Sequence, residues 1–165
     1  MRSVHAIEQK IMTLPQLLSR VAAWRITGKK VAFTNGCFDI LHEGHIFSLN
    51  AAASEADYLI VGVNSDNSVK KLKGPERPVN NEHSRSLLLA SLAVTDAIIV
   101  FDEDTPHTLI TAILPDVLVK GGDYTVEQIV GSKEVIANGG RVVINPIVEG
   151  FSTTGIIQHI KQSYS

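Results

Sequence analysis

Two histidines three residues apart, His42 and His45, are the first groups in this chain able to do chemistry, and they sit in the run VAFTNGCFDILHEGH at residues 31–45. Gly36 lets the chain turn close to a ligand, and Gly44 opens the next helix with no side chain in the way. A helix start holds unpaired N–H groups and a partial positive charge, which makes this segment a natural phosphate site. Imidazoles there donate hydrogen bonds to phosphate oxygens and, when protonated, offset charge that builds in a transition state. Two other readings compete. Histidines at i, i+3 can share a metal, but Asp39 is the one further ligand nearby, so no metal site is assigned. Capping or packing would explain a lone histidine better than a pair flanking a glycine-containing helix start. Cys37 reads as a small buried residue behind the turn rather than a nucleophile.

Two further segments carry suitable groups. Ser152, Thr153 and Thr154 begin the last helix, where hydroxyls cap N–H groups and contact phosphate. Residues 63–80, VNSDNSVKKLKGPERPVN, hold Lys70, Lys71, Lys73 and Arg77 within eight positions. A solvated mobile loop is the usual reading of such a run, and beside a phosphate site a flexible basic loop can close over a triphosphate. Arg85 follows in EHSRSLLLASL, among apolar residues at helical spacing, and is read as facing solvent or a subunit partner. The glycines of KGGDY, residues 120–124, permit close backbone approach to a ligand.

These groups need a scaffold. Short apolar runs at 31–34, 58–63, 97–101, 117–119 and 142–144 read as strands. Helical segments are expected at about 44–56, 83–93, 105–113, 126–137 and 152–163. Strands without in/out alternation, separated by helices, predict an α/β fold: a doubly wound, Rossmann-like, five-stranded parallel sheet with helices on both faces. Chemistry then belongs on loops leaving the carboxyl ends of strands, where residues 35–45, 120–124 and 149–154 fall. Before the first strand, TLPQLLSRVAAWR at 13–25 places Leu14, Leu17, Leu18, Val21 and Trp24 on one helical face. The expected organisation is a helical extension, 1–28, packed on a single domain, 29–165.

Bulk properties narrow the function class. The 165 residues are 44% hydrophobic and 19% charged, in the globular range, and the formal net charge of -2 advertises neither nucleic acid nor an anionic membrane as partner. A single cysteine excludes an intramolecular disulfide and points to a reducing compartment. The start, MRSVHAIEQKIM, lacks a continuous apolar stretch, and Leu87–Val94 is too short to span a bilayer, so a cytoplasmic protein is expected.

The motifs GCFDILHEGH and FSTTGI, about 110 residues apart, resemble the two signatures of the cytidylyltransferase-like nucleotidyltransferase superfamily. KGGDY resembles the loop written Arg-Tyr-Glu-Gly-Asp-Trp in glycerol-phosphate cytidylyltransferases. Where those enzymes have Arg-Thr-Glu-Gly before the second signature, this chain has Ile147-Val148-Glu149-Gly150, which argues against glycerol phosphate as substrate. The combination with VNSDNSVKKLKG, RPVN, LPDVLVKGGDY and VGSKEV is similar to the adenylyltransferase part of bacterial heptose enzymes, from about Ala22 to Ile160. In many bacteria that part is fused to a sugar kinase, for which 165 residues leave no room, so a stand-alone adenylyltransferase is expected.

The resemblance implies transfer of AMP from ATP, with Mg²⁺, to D-glycero-β-D-manno-heptose 1-phosphate, giving ADP-heptose for a surface glycan such as the lipopolysaccharide core. It implies catalytic roles for His42, His45 and Lys73. It places Asn35, Gly36, Cys37, Phe38 and Gly44 at the nucleotide, with Gly121, Asp123, Ser152, Thr153 and Thr154. Asp39, Asp66, Lys71 and Arg85 are implied on the substrate side, the two aspartates to orient substrate or the lysine segment. Family members are commonly dimers, so a homodimer is expected. Two alternatives stand beside this: a cytidylyltransferase acting on another phosphorylated small molecule, and a nucleotide-binding module without turnover.

Overall fold

The computed structural model describes residues 5–146 and 150–163, so Ile147, Val148 and Glu149, on which the case against glycerol phosphate leans, lie outside the described residues. All five apolar runs form strands: β1 (Val31–Gly36), β2 (Tyr58–Asn64), β3 (Ala97–Phe101), β4 (Val117–Gly121) and β5 (Arg141–Asn145). They build one parallel sheet in the order β3-β2-β1-β4-β5. The chain steps from β1 out to β3, then crosses back to add β4 and β5 on the other side of β1. The reversal between β1 and β4 opens a crevice at their carboxyl ends.

The helices among the described residues are α1 (Leu14–Ile26), α2 (Glu43–Ala53), α3 (Asp66–Lys73), α4 (Glu82–Ser91), α5 (His107–Ile113), α6 (Ser132–Ala137) and α7 (Thr153–Ser163). One face of the sheet is covered by α1, α5 and α6, whose Leu17, Val21, Ile110, Ile113 and Val135 cluster with Phe33, Ile60, Ile99 and Leu118. The other is covered by α2 and α4, whose Leu49, Ala52, Leu89 and Ala90 cluster with Ala32, Val61, Ile98 and Val119. Apolar side chains on both faces of every strand are what the non-alternating sequence runs require. The N-terminal segment joins this core: Met12 N–H donates to the Ile98 carbonyl at 2.9 Å, and Trp24 stacks on Tyr58 with ring centroids 4.2 Å apart.

Two expectations are corrected. Residues 66–73, read as part of a mobile basic loop, are the helix α3. Ser65 caps it, accepting the Ser68 N–H at 3.0 Å, and Asn64 donates to Ser68 Oγ at 2.9 Å. Only Ser68 and Val69 of α3 are buried, too short an apolar stripe to stand out among four charged residues. Residues 126–137, expected as one helix, break at Gly131 into a 3-10 turn (Val126–Gln128) and α6. Gly131 has φ +83°, and a Cβ there would lie 2.6 Å from Ile110 Cγ2, so the break lets the chain pass close over α5.

Candidate active site

β1 delivers its last residues to the crevice, and the chain then turns sharply. Phe38 has φ +49° and is buried, its ring tilted against His45 with centroids 5.3 Å apart. His42 is the N-cap of α2 in extended conformation, and His45 occupies the third helical position. Their rings stack with centroids 3.8 Å apart and planes 22° from parallel. His42 N–H points to His45 Nδ1 at 3.4 Å, which leaves the ring proton of a neutral His45 on Nε2, free to donate to a ligand. His42 Nδ1 is buried with no partner among the described residues.

Burial decides the charge of this pair. It pushes the His45 pKa down to about 4, with the neighbouring His42 adding to the effect, and it lowers His42 as well. Both rings are therefore neutral at neutral pH in the free chain. This corrects the protonated imidazoles allowed for from sequence: the pair serves as hydrogen-bond donors.

The start of α7 closes on the start of α2. Phe151 lies against His42, ring centroids 6.5 Å apart, and a Cβ on Gly44 would come within 2.9 Å of Phe151 Cβ. Ser152 Oγ accepts the Gly155 N–H at 2.9 Å and Thr153 Oγ1 donates to the Ile40 carbonyl at 3.5 Å, while Thr154 is exposed. Two eleven-residue helices thus present their N-termini to one place, an arrangement suited to a polyanion.

Across the sheet from α2 lies a cavity of about 370 Å³. Its floor is apolar (Ile110, Leu118, Ile129), and its polar lining includes Asn35, Asn64, Lys73, Asp104, Lys120 and Tyr124. Lys120 Nζ reaches Asn35 Oδ1 at 3.4 Å and so bridges the ends of β1 and β4, while burial lowers its pKa. Of the three lysines of α3, Lys73 lines the cavity, whereas Lys71 is exposed and pairs with Asp104 at 3.6 Å. Gly121 runs beside Ser48 of α2, and Asp123 is exposed in the loop after β4.

The substrate-side residues expected from sequence fare differently. Asp39 is 1% exposed, and its carboxylate accepts the N–H groups of Val79 (2.8 Å) and Asn80 (2.9 Å) and the Arg77 guanidinium. Burial pushes its pKa up, but these donors outweigh burial and hold the carboxyl below its usual range. It orients the loop and offers no free oxygen to a substrate or metal. Arg85, expected to face solvent or a partner, is 0% exposed and pairs with Asp66 at 2.8 Å. Among the described residues no three His, Cys, Asp or Glu side chains gather as metal ligands. Cys37 is half-buried, and burial raises its thiol pKa, which leaves it a poor nucleophile.

Sequence reasoning gave no role to Lys120, Asn64 and Asp104, and read Arg77 only as a member of the basic run. Lys120 carried a local signal, a lysine ending an apolar strand, whereas Arg77 and Asp104 depend on partners more than thirty positions away, Asp39 and Lys71.

The cytidylyltransferase-like family matches residues 33–159. Among curated proteins, the bifunctional protein HldE of Mesorhizobium japonicum is 57% identical over 141 residues, 86% of this chain and 28% of that protein. The bifunctional protein HldE of Hyphomonas neptunium is 54% identical over 147 residues, 89% of this chain and 30% of that protein. The chain thus spans less than a third of the length of these two relatives. Among solved structures, the lipopolysaccharide core biosynthesis protein of Thermoplasma volcanium superposes with TM-score 0.60 at 28% identity, covering 73% of this chain and 98% of that one. Pantoate-beta-alanine ligase of Francisella tularensis, complexed with beta-gamma ATP and beta-alanine, shares the fold at TM-score 0.58 and 17% identity, covering 92% of this chain and 76% of that one. No described helix is long and apolar enough to cross a membrane.

Proposed function

The chain belongs to the cytidylyltransferase-like family, and from that premise we propose that it transfers AMP from ATP to D-glycero-β-D-manno-heptose 1-phosphate, releasing pyrophosphate. The observation that carries this reading is the placement of the stacked histidine pair and two helix N-termini on one side of the β1–β4 crevice, with Lys73 and Lys120 on the other. A polyphosphate held at the helix starts brings its α-phosphorus to the crevice. A sugar phosphate in the cavity brings its 1-phosphate oxygen from the opposite side, and pyrophosphate departs in line.

Such a displacement needs no protein nucleophile, only positioning and charge stabilisation. His45 donates from Nε2 to oxygens on the reacting phosphorus, and His42 adds a second ring donor. The α7 start, through Ser152, Thr153 and Thr154, binds phosphate oxygens. Lys73 neutralises charge from the acceptor side, and Lys120 holds the acceptor phosphate. Gly121 and Asp123 flank the nucleoside, and backbone groups at Asn35–Phe38 line the phosphates. Mg²⁺ bound with ATP supplies charge neutralisation on the phosphates. Among the described residues no carboxylate cluster stands ready to hold it, so it would enter with the nucleotide. The product is a precursor for a surface glycan, lipopolysaccharide core in particular. The working form is a homodimer in the cytoplasm, a state sedimentation will measure directly.

The test is direct. Incubated with ATP, Mg²⁺ and the heptose 1-phosphate, the protein yields ADP-heptose and pyrophosphate by mass spectrometry. Product with CTP and another phosphorylated acceptor, and none with this pair, overturns the assignment. Tight ATP binding without turnover across a broad acceptor panel makes the chain a binding module.

A further inference from the structure

Arg85 is a fully buried cation beneath the candidate active site, and no substrate can touch it. Its guanidinium is spent on four segments. Nε donates to the Asn80 carbonyl at 2.9 Å, and Nη1 to the carbonyls of Cys37 (2.6 Å) and Asn64 (2.8 Å). Nη2 donates to Asp66 Oδ1 at 2.8 Å. Cys37 lies on the turn that leads to His42, Asn64 ends β2 at the cavity wall, and Asp66 begins α3, whose last residue is Lys73. Asn80 belongs to the linker that returns from α3, and its side chain donates to the Asp39 carbonyl at 2.9 Å. Glu82 completes the junction by accepting the Asp66 N–H at 2.8 Å.

We propose that Arg85 is a positioning residue that sets the distance between the histidine pair and Lys73 across the reacting phosphorus. The inference rests on the nucleotidyl-transfer reading and deepens it. The histidine turn and α3 leave neighbouring strands and each has a single covalent tie to the sheet on its approach. One planar fork with fixed donor directions joins the two where the backbone does not. An ammonium at the same place would keep the charge facing Asp66 but could not serve three carbonyls in three directions. A group two shells from the chemistry can matter this much because phosphoryl transfer tolerates little misplacement of its charged partners.

Three measurements test it together: steady-state kinetics with saturation in each substrate, a double-substitution cycle, and amide hydrogen exchange. For Arg85→Lys we expect kcat to fall about 20-fold with the KM for ATP within about threefold, since the nucleotide's own contacts are untouched. Arg85→Lys combined with Lys73→Ala is expected to be no slower than Lys73→Ala alone, because the two act through one contact. Exchange should quicken jointly at residues 37–42 and 66–73 while the centre of β2 stays protected. Leu89→Ala, a cavity in α4 away from the site, controls for lost stability and should keep kcat near wild type at temperatures where it is folded.

Arg85→Lys with kcat within threefold of wild type, or losses that multiply in the double variant, overturns the proposal. So does a loss no larger than that of Leu89→Ala. Should Arg85→Lys not fold, Asp66→Asn is measured in the same way. There a roughly tenfold fall in kcat, with quickened exchange at both segments, supports the proposal, and an unchanged kcat overturns it. Failure of the parent reading looks different: wild type forms no nucleotide sugar, while the joint exchange response to Arg85→Lys is unaffected.

Discussion

The two ends of the parallel sheet use similar polar residues in opposite ways. At the amino ends of the strands, three aspartates each accept a backbone N–H at the start of a strand or just before it. Asp57 takes that of Lys30, Asp96 that of Leu59 and Asp116 that of Val31, all within 2.9 Å. Each closes an otherwise open ladder position, and the partnerships are complete. At the carboxyl ends, Asp39 and Arg85 are equally well paired, yet the groups above them are not. Two of the three buried side-chain atoms without a partner among the described residues, His42 Nδ1 and Asn145 Nδ2, belong to this end; the third is Ser86 Oγ on α4. Lys120 is held half-buried, donating to Asn35 Oδ1 at 3.4 Å. A polar group buried without compensation costs folding energy, so its persistence marks where binding energy is to be recovered.

The contrast can be broken most sharply at His45. His45→Ala should lower kcat about 100-fold or more while leaving thermal stability near wild type, as measured by pyrophosphate release and a melting curve. A loss within threefold removes the transition-state role. Next in size is Lys73→Ala, expected to lower kcat about 30-fold, against less than threefold for the exposed Lys71→Ala. Equal losses would move the role to Lys71 or spread it over the helix.

A smaller effect appears in pH-dependent stability. Burial holds His45 at about 4 in the folded chain against 6.5 ordinarily, so the unfolded chain takes up a proton first as pH falls. The contribution is fully present above about pH 6.5 and is lost progressively as pH drops through about 4. It should amount to roughly 2 kcal/mol in denaturant titrations, and His45→Gln should flatten that slope. The amino end supplies the smallest change and the opposite pattern. Asp116→Ala should cost about 1–2 kcal/mol of stability by leaving the Val31 N–H unpaired, with kcat unchanged within twofold. A kinetic effect there would erase the distinction between the two ends.

Much of this was readable from local patterns. The five apolar runs with β-branched residues could be only strands covered on both faces, and they are. The histidine pair and the Ser152–Thr154 run announced helix starts because capping and backbone turning are decided within three or four residues. What failed to show was of two kinds. Helix α3 buries one apolar side chain, Val69, so its periodicity vanished beneath its charges. Arg85 looked like a surface residue because its partners, Cys37, Asn64, Asp66 and Asn80, are gathered by the sheet rather than by the chain.

From residue order alone came the alternation of strands and helices, the position of the crevice and the histidine pair and hydroxyls at two helix starts beside it. These follow from short-range backbone physics and from the period of apolar burial. The tertiary structure alone decided which of three lysines lines the cavity, that both histidines are neutral, and that Asp39 and Arg85 are closed to substrate. Charge state and access depend on desolvation and on partners distant in sequence, and both quantities exist only once the chain is packed.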